Sequence, residues 1–231
     1  MAILSGGFAT RLRPVTERIP KSLIEVAGKP FLVHQIELLK KNQLTELVLC
    51  VGHLGEMIQQ QIGNGRSLGV EIEYIFDGAE PLGTGGALRH ALPALGESFF
   101  VLYGDSYLQA GYQQMRQAFA RCEKRGMMSV FKNCGQWDHS NVELRDGQIV
   151  SYDKRQPSGR AQHIDYGINL LRSIALENFP TNRPFDLAEV FQRLIADEQM
   201  AGFEVFERFY EIGSPAGLEE TRAYLSRSGK S

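Results

Sequence analysis

Glycine and cationic residues stand close together near the beginning of the chain. Gly6-Gly7 is followed by Thr10-Arg11, and Pro20-Lys21 comes soon after. Glycine lets backbone N–H groups approach an anion, while a guanidinium and an ammonium supply the positive charge that a polyphosphate requires. The segment does not match the P-loop, which places a lysine directly after a glycine, or the dinucleotide fingerprint, whose third glycine opens a helix. We therefore predict a polyphosphate site of another type, against the alternative of a plain strand-to-loop turn with solvated arginines.

Two further segments carry candidate chemistry. Residues 80–88 predict a glycine-rich turn from a strand into a helix, where small residues let a flat base and a ribose lie against backbone. The alternative is an ordinary helix start capped by Thr84.

Gly104-Asp105 follows the apolar residues 99–103, so the carboxylate is expected at the sheet edge where ligands bind, and its hard oxygens suit Mg²⁺. An aspartate that caps the next turn is the alternative there.

The elements that position these residues follow from the spacing of apolar residues. In the first half of the chain, short apolar runs typical of buried strands alternate with amphipathic runs typical of helices. The predicted strands are residues 2–4, 47–51, 70–76 and 99–103, and the predicted helices are residues 30–40, 54–62 and 85–92. This alternation predicts a mainly parallel sheet with helices on both faces.

After about residue 126 the pattern changes. Strand-like runs dominate, and Asp146-Gly147 between two of them is a strong hairpin signal. The predicted strands are residues 127–131, 142–144, 149–152 and 168–171, and helices return at residues 186–196 and 214–225. The prediction is an α/β fold whose Rossmann-like, mixed but mainly parallel sheet is flanked by helices, with added antiparallel strands over its carboxyl edge. No linker or repeat divides the chain, so we expect one domain over residues 1–231.

Composition limits the classes of function. A formal net charge of −2, a pI near 6.2 and 43% hydrophobic residues are typical of a globular protein without a broad basic surface for nucleic acid or membrane. Cys50, Cys122 and Cys134 form no C-x-x-C pair, so neither a disulfide framework nor a zinc site is expected. No apolar run approaches the roughly 20 residues of a membrane helix. We expect a cytoplasmic protein with no nucleic-acid or membrane partner.

The ordered motifs resemble the signature of the sugar-1-phosphate nucleotidyltransferases, also called nucleotide-sugar pyrophosphorylases. The matching segments are residues 6–12, Pro14, Thr16, Pro20-Lys21 and residues 28–30. Ala9 stands where this family usually has glycine, and alanine tolerates a positive φ poorly, so a slightly reshaped loop is expected. The resemblance implies the nucleotide-diphospho-sugar transferase fold, with a mainly nucleotide-binding half over residues 1–125 and a mainly sugar-phosphate-binding half over residues 126–231.

The resemblance also implies which residues bind the nucleoside triphosphate. Arg11 is assigned to the β- and γ-phosphates, Lys21 to the α-phosphate and the charge of the transition state, and Asp105 to a magnesium ion. These three are the implied catalytic residues. The implied nucleotide-binding residues are Leu4, Ser5, Gly6, Gly7, Thr10, Arg11, Lys21, Glu80, Pro81, Gly83, Thr84, Gly85 and Asp105.

A second metal ligand is implied at Glu211. It precedes Ile-Gly-Ser-Pro, where family members usually have an aspartate before Ile-Gly-(Thr/Ser)-Pro. Glutamate keeps the charge but is one methylene longer, so the metal would shift, the side chain would fold back, or a water would intervene. Asp105 and Glu211 are thus the implied ligands of the cofactor Mg²⁺. The alternative is that Glu211 is a charged residue ahead of a helix that starts at Ser214-Pro215.

The acceptor side of the site is implied by two shorter matches. Asp153-Lys154 resembles the family's (Glu/Asp)-Lys element, whose lysine meets the acceptor phosphate, and residues 166–169 resemble its sugar-side segment. Asn141 and Glu143 are further candidates for facing the sugar. The implied sugar-phosphate-binding residues are Tyr103, Gly104, Asn141, Lys154, Tyr166, Gly167 and Asn169.

The implied function is the condensation of a nucleoside triphosphate with a sugar 1-phosphate to give an NDP-sugar and pyrophosphate, for surface polysaccharide or glycan precursor synthesis. The resemblance is broadest to guanylyltransferases of D-glycero-D-manno-heptose 1-phosphate or mannose 1-phosphate, which favours GTP. The alternatives are a uridylyl- or cytidylyltransferase of another sugar 1-phosphate, and a non-catalytic regulatory subunit that binds nucleotide sugars. Phe203, Phe206, Phe209 and Tyr210 are expected at an edge of the core, with a homodimer interface as the alternative.

Overall fold

The computed structural model describes residues 1–7, 10–12, 14–133, 135–137, 139–181 and 183–228. Its strands are β1 Ala2–Ser5, β2 Glu25–Val26, β3 Lys29–Pro30, β4 Glu46–Val51, β5 Glu71–Phe76, β6 Ser98–Tyr103, β7 Ser106–Tyr107, β8 Gly126–Lys132, β9 Val142–Arg145, β10 Gln148–Tyr152, β11 His163–Arg172, β12 Met200–Val205 and β13 Tyr210–Glu211. Its helices are α1 Phe31–Lys41, α2 Gly55–Ile62, α3 Gly83–His90, α4 Tyr112–Arg121, α5 Ile174–Glu177, α6 Leu187–Ala196 and α7 Pro215–Ser228. Ala9 and Cys134 lie outside the described residues.

A mixed sheet of nine strands runs through both halves of the chain, in the order β5-β4-β1-β6-β11-β8-β12-β10-β9. β5, β4, β1 and β6 are parallel to one another, as the alternation of strands and helices predicts. Parallel neighbours require crossover connections, and α1, α2 and α3 lie in those connections. The carboxyl ends of the four strands therefore meet at one edge of the sheet, which is where open α/β sheets bind ligands.

The two faces of the sheet carry separate apolar layers. Along β1, Ile3 contributes to one layer, and Ala2 and Leu4 contribute to the other, as the alternation of side chains in a strand requires. Helices α1, α2 and α4 cover the first face, and α3, α5 and α6 cover the second. Among the described residues, every helix is too short or too polar to span a bilayer.

The strands of the second half extend this sheet sideways. β11 pairs antiparallel with β6 and with β8, β12 pairs parallel with β8, and β9 and β10 form an antiparallel hairpin. Asp146 and Gly147 make the hairpin turn with φ of +49° and +74°, the left-handed pair of a type I′ turn. The predicted antiparallel additions are confirmed. Their predicted position over the carboxyl edge is wrong, because β11 hydrogen-bonds directly to β6 and places them beside it.

Seven elements and one side chain differ from the sequence predictions. Five of these elements are short, namely β2, β3, β7, β13 and α5. Helix α4 was not predicted, because it buries only Tyr112, Met115 and Phe119 and is polar elsewhere. Strand β12 was not predicted either, although it lies inside the sheet between β8 and β10. Of the aromatic residues expected at a core edge, Phe206 is 79% exposed and is not part of the core.

The last helix is attached through a small third apolar cluster. The cluster consists of Val26, Phe31, Ile212 and Leu225. Strand β13 pairs antiparallel with β7, which aligns Glu211 with Ser106. In addition, the Ile212 N–H donates to the Asp105 carbonyl oxygen at 2.9 Å. These bonds carry the segment around residue 211 to the end of β6.

Candidate active site

A cavity of about 330 Å³ opens at the carboxyl edge of the sheet, where β1, β4 and β6 end. Its size is that of a small-molecule site. The lining residues are Leu4, Ser5, Gly6, Gly7, Lys21, Ser22, Cys50, Asp77, Pro81, Gly83, Thr84, Ala87, Tyr103, Gly104 and Asp105. Most of the predicted nucleotide-binding residues therefore converge on one cavity, together with the predicted sugar-side residues Tyr103 and Gly104.

Close backbone packing explains the glycines at the floor of the cavity. Gly6 and Gly52 follow β1 and β4, and a Cβ on Gly52 would lie 3.0 Å from the Gly6 carbonyl oxygen. The Gly104 N–H donates to the Leu4 carbonyl oxygen at 2.9 Å, and a Cβ on Gly104 would lie 2.7 Å from that oxygen. Side chains at these positions would push the strand ends apart. Glycine thus keeps the floor a continuous surface of backbone.

Two hydroxyl groups in the cavity wall have no hydrogen-bond partner among the described residues. They are Ser5 Oγ and Ser22 Oγ, and both atoms are buried. A buried polar atom without a partner carries a desolvation cost, and native proteins contain few of them. The two hydroxyls therefore indicate that the cavity accommodates a polar ligand.

Lys21 and Asp105 form an ion pair at the cavity wall. Lys21 opens a single 3₁₀ turn, Lys21–Leu23, and Asp105 follows the end of β6 by two residues. Lys21 Nζ donates to Asp105 Oδ2 at 2.6 Å, and Ser106 Oγ donates to Oδ1 at 3.2 Å. The predicted phosphate-binding cation and the predicted metal ligand are therefore in direct contact.

The predicted second carboxylate faces Asp105 across Gly213. A Cβ built on Gly213 would lie 2.7 Å from Glu211 Oε2, 3.0 Å from Asp105 Oδ2 and 3.5 Å from Arg11 Nη2. Two carboxylates and a guanidinium therefore surround one small space that glycine leaves open. Arg11 is exposed and does not line the cavity, so it approaches this space from the solvent side.

Glu211 also supports the start of helix α7, because it hydrogen-bonds to the capping residue Ser214. Its carboxylate accepts a hydrogen bond from Ser214 Oγ at 2.5 Å and another from the Gly213 N–H. Ser214 Oγ in turn accepts from the Gly217 N–H at 3.0 Å. Glu211 is therefore a charged residue ahead of a helix start, as the alternative interpretation predicted. This role does not exclude a metal ion, because each carboxylate oxygen has two acceptor positions.

The pair of carboxylates fits a magnesium ion. Mg²⁺ prefers hard oxygen ligands and is usually held by one or two carboxylates, with water and substrate phosphates completing its shell. Asp105 and Glu211 supply that number of carboxylates. In the described part of the chain, no three His, Cys, Asp or Glu residues are grouped to hold a metal by themselves.

The glycine-rich turn is held by the segment that precedes α6. The Phe185 carbonyl oxygen accepts from the Gly85 and Gly86 N–H groups at 3.0 and 3.3 Å. Thr84 Oγ1 accepts from the Leu187 N–H at 2.8 Å, so it satisfies the first N–H of α6. The alternative that Thr84 caps its own helix is therefore wrong, because α3 has no side-chain cap.

Some of the predicted nucleotide-binding residues do not reach the cavity wall. Gly85 lies behind the turn with its N–H bound to Phe185, and Glu80 is exposed before the turn. Arg11 lies beside the carboxylates, on the solvent side of the cavity. The side chain of Thr10 lies outside the described part of the structure.

Lys154 connects the cavity to the second half of the chain. Its Nζ lies 5.3 Å from the ring centre of Tyr103 and 5.7 Å from that of Tyr152, so the ammonium faces both rings. Tyr103 also lines the cavity. Because Lys21 contacts Asp105 and Lys154 contacts Tyr103, two ammonium groups lie near the same strand end.

Asp165 organises the other predicted sugar-side residues. Its Oδ1 accepts from the Gly167 N–H at 3.0 Å and from Asn169 Nδ2 at 3.4 Å, and its own N–H donates to Asn141 Oδ1 at 3.1 Å. Burial raises the pKa of the Asp165 carboxyl, although the charge of Lys154 opposes the shift. Asp165 was not among the residues predicted from the sequence, yet it brings three of the predicted residues together.

Tyr166 and Glu143 have structural partners. The Tyr166 ring is buried and packs against Phe131 and Phe209. The Glu143 carboxylate accepts from Arg145 Nη2 at 2.7 Å and from Ser158 Oγ at 3.2 Å. Glu143 is therefore engaged with neighbouring side chains rather than free to face a sugar.

Cys50 and Asp77 are cavity residues that the sequence analysis did not select. Burial raises the pKa of the Cys50 thiol to about 12, so this thiol stays protonated. Asp77 directly follows β5, just as Asp105 follows β6 by two residues. A carboxylate placed after a strand was the signal used for Asp105, and the same signal was present for Asp77.

A family model described as nucleotidyl transferase matches residues 1–139. The matched region is more than half of the chain and contains every residue that lines the cavity. The chain belongs to the nucleotidyl transferase family. The predicted resemblance to the sugar-1-phosphate nucleotidyltransferases is thereby confirmed at the level of the family.

Relatives of this nucleotidyltransferase include enzymes of mannose 1-phosphate. Mannose-1-phosphate guanyltransferase beta-A of Xenopus laevis is 28% identical over 219 residues, which are 92% of this chain and 61% of the relative. The mannose-1-phosphate guanylyltransferase catalytic subunit beta of Drosophila melanogaster is 30% identical over 219 residues, which are 92% of this chain and 59% of the relative. The chain thus spans about three fifths of the length of these relatives.

Solved structures of the same architecture confirm the predicted fold class. HddC from Yersinia pseudotuberculosis, solved in complex with GMP-PN, superposes with a TM-score of 0.79 at 22% sequence identity. The superposition covers 97% of this chain and 98% of that one. At this identity the agreement establishes the fold of the nucleotidyltransferase, and its substrates must be argued from the site.

Proposed function

We propose that this nucleotidyltransferase condenses a nucleoside triphosphate with a sugar 1-phosphate, giving an NDP-sugar and pyrophosphate. The observation that carries the proposal is the contact of Lys21 with Asp105 at the cavity wall, with Lys154 over Tyr103 beside it. One strand end thus presents cations to two anionic substrates. Membership of the family and the names of the relatives support the proposal.

The reaction requires positioning and charge rather than a strong base. An oxygen of the sugar 1-phosphate, already anionic near neutral pH, attacks the α-phosphorus of the triphosphate. The bond from that phosphorus to the oxygen that bridges it to the β-phosphorus breaks, and pyrophosphate leaves with the electron pair. Because two polyanions must approach each other, preorganised positive groups supply most of the rate enhancement.

Three cations take separate parts in this scheme. Lys21 binds the α-phosphate and stabilises the charge that develops there. Its ammonium contacts Asp105 in this structure, and its flexible side chain lets it move to the phosphate. Arg11 binds the β- and γ-phosphates from the solvent side, where its guanidinium can form two parallel hydrogen bonds. Lys154 holds the phosphate of the acceptor sugar, and Asp165 keeps the neighbouring Gly167 and Asn169 in place.

Mg²⁺ is the cofactor that we propose, with Asp105 and Glu211 as the residues that would hold it. When bound, the ion supplies neutralisation of phosphate charge and stabilisation of the leaving pyrophosphate. The Ser214 hydroxyl and the Gly213 N–H restrain the Glu211 carboxylate beside Asp105. The longer side chain of glutamate is accommodated in this way, because these hydrogen bonds fold Glu211 back.

We further propose GTP as the triphosphate and mannose or heptose 1-phosphate as the acceptor, for glycan precursor synthesis in the cytoplasm. Residues 1–125 mainly hold the nucleotide in the cavity, and residues 126–231 mainly hold the sugar phosphate. The relatives named for mannose 1-phosphate and the GMP-PN complex of HddC support this choice. Uridylyl or cytidylyl transfer to another sugar 1-phosphate is the second possibility for the same site.

A non-catalytic nucleotide-sugar-binding subunit is the candidate from another class. The hydrogen bonds from the Gly213 N–H and the Ser214 hydroxyl to the Glu211 carboxylate favour this non-catalytic candidate. They use acceptor positions of the carboxylate that would be the second metal ligand. The set of Arg11, Lys21, Asp105 and Lys154 favours catalysis, because binding alone does not require all four.

A pyrophosphate-release assay tests the proposal. Each of the four common nucleoside triphosphates is combined with mannose, heptose, glucose or N-acetylhexosamine 1-phosphate in the presence of Mg²⁺. Turnover that is highest with GTP and mannose or heptose 1-phosphate is the expected result. Binding of an NDP-sugar without turnover on any pair would support the regulatory subunit instead.

A further inference from the structure

Asp77 is a carboxylate in the cavity wall that has no part in the proposed phosphate chemistry. It follows the last residue of β5 and is half-buried. Its Oδ2 accepts from the Leu82 N–H at 3.3 Å. No described residue donates a hydrogen bond to Oδ1, and no described cation pairs with the side chain. Oδ1 and the second acceptor position of Oδ2 are thus left for a ligand.

The charge of this carboxylate is poorly compensated by the protein. Burial raises the pKa of Asp77, while the hydrogen bond from the Leu82 N–H and the charge of His90 oppose that shift. Lys21, the cation of the same cavity, is paired with Asp105. Because a desolvated carboxylate with a single hydrogen bond is costly, the site is arranged for hydrogen-bond donors that arrive with the ligand.

The position of Asp77 fits the base end of a nucleotide. Strands β4 and β1 lie between β5 and β6, so Asp77 and Asp105 are anchored on opposite sides of the cavity. With neighbouring strands about 4.8 Å apart, β5 and β6 are separated by roughly 14 Å. The carboxylate leans inward over the strand ends, since a Cβ on Gly6 would lie 3.2 Å from its Oδ2. A nucleotide with its phosphates at Lys21 therefore extends its base toward Asp77, past the apolar wall of Leu4 and Cys50.

We propose that Asp77 reads the base of the triphosphate and selects guanine. Guanine presents two adjacent donors, N1–H and the N2 amino group, and an ionised carboxylate offers two acceptors and no donor. Uracil presents one N–H between two carbonyl oxygens, while adenine and cytosine present an amino group next to a bare ring nitrogen. Each of these three bases would place an acceptor lone pair opposite a carboxylate oxygen, and the two would repel each other. The inference rests on the proposed function and names the residue that determines its nucleotide.

Comparison of GTP with inosine triphosphate tests this assignment, because inosine keeps N1–H and lacks the N2 amino group. For the unmodified protein, kcat/KM is expected to be about 10- to 100-fold higher with GTP, the value of one hydrogen bond to a charged group. Asp77→Asn replaces one acceptor by a donor that faces the N2 amino group. It is expected to lower kcat/KM for GTP about 100-fold and to bring the GTP-to-ITP ratio to within about threefold of unity. Glu73→Gln, the same change at an exposed position of β5, is the matched control and leaves the ratio unchanged.

The outcomes separate this proposal from the proposed function. Equal losses with GTP and ITP in Asp77→Asn would show that Asp77 only supports the turn through Leu82, and would overturn the assignment. A preference of the unmodified protein for UTP, CTP or ATP would overturn it as well, while nucleotidyl transfer stands. If no triphosphate is turned over, the proposed function fails, and calorimetric titration with GDP and IDP decides base recognition alone. In that case tighter binding of GDP than IDP, lost in Asp77→Asn, supports the assignment, and equal binding of the two contradicts it.

Discussion

Lys21 Nζ donates a hydrogen bond to Asp105 Oδ2 at 2.6 Å across 84 positions of the chain. The two side chains are 20% and 25% exposed, so solvent and a ligand can reach both. The pair joins the loop after β1 to the end of β6, at the wall of the cavity. We propose that the two groups separate when a triphosphate and its metal ion bind, because these ligands require an ammonium and a carboxylate.

Removal of the Lys21 ammonium is expected to lower kcat by a factor on the order of 10² to 10³, because a preorganised charge at the reacting phosphate is lost in Lys21→Ala. The melting temperature is expected to change little, because a partly exposed ion pair contributes at most about 1 kcal/mol. Steady-state kinetics and thermal unfolding measure both effects. Lys40→Ala, at an exposed lysine of α1, serves as control and keeps the original rate. Near-normal turnover of Lys21→Ala would remove this lysine from the mechanism.

Two variants separate the metal-binding and helix-supporting parts of Glu211. Glu211→Gln removes the charge but keeps an oxygen for the Gly213 N–H, so it is expected to raise the Mg²⁺ concentration required for half-maximal activity at little cost in stability. Ser214→Ala removes a capping partner, so it is expected to lower the free energy of unfolding by about 1 kcal/mol. Its Mg²⁺ requirement is expected to stay the same. Magnesium titrations and denaturant unfolding of both proteins provide the measurement. If the Glu211→Gln protein keeps the original Mg²⁺ requirement, Glu211 only supports the helix start and does not bind the metal ion.

Cys50 is expected to resist alkylation although it lines the cavity. Its side chain is 1% exposed, and burial raises its pKa to about 12, so at pH 8 almost no thiolate is present. Its thiolate fraction should grow about tenfold for each pH unit up to that pKa. Treatment of the native protein with iodoacetamide, followed by mass spectrometry of peptides, is expected to show label on the half-buried Cys122 and none on Cys50. Equal labelling of the two in the native protein would contradict the buried environment of Cys50.

Asp165 is expected to make stability depend on pH. Its pKa is raised in the folded protein above the 3.8 of an ordinary aspartate, so the folded state binds this proton more tightly than the unfolded state. Stability therefore falls as pH rises from about 3.8 to the raised pKa, and stays lower above it. The Asp165→Asn variant has no carboxyl group at this position, so it does not show this loss of stability. Its amide oxygen can still accept hydrogen bonds from Gly167 and Asn169. The free energy of unfolding of the original protein, relative to Asp165→Asn, should decline over that interval in urea titrations. A difference that is independent of pH would contradict the raised pKa.

The parallel half of the fold could be predicted because three of its four strands, β1, β4 and β6, are mostly buried. An unbroken apolar run such as that of β4 is typical of a strand inside a parallel sheet, and the glycines that follow such strands indicate the ligand edge. Helix α4 was not predicted, because only one narrow side of it is buried and its sequence is otherwise polar. Strand β12 was missed because its partners, β8 and β10, are distant in the chain, and neighbours of that kind leave no local pattern.

The candidate site shows the same limit. Asp105 could be predicted from its place after a buried strand, and the motif order assigned Lys21. The contact between them joins residues 84 positions apart, and it forms only when the sheet has folded. Asp165 and Asp77 were missed for different reasons. Asp165 lies inside the long strand β11, where a polar residue gives no signal of its own, whereas Asp77 follows a strand and carried a usable signal.

The fate of the two ends of the triphosphate shows whether the protein transfers a nucleotidyl group. GTP labelled separately at its α- and γ-phosphorus is incubated with mannose 1-phosphate, Mg²⁺ and the protein, and the products are separated. Nucleotidyl transfer predicts that the α-label appears in the NDP-sugar and the γ-label in pyrophosphate, in equal amounts. Release of the γ-label as orthophosphate, or an α-label that never joins a sugar with any sugar 1-phosphate tried, would contradict the account.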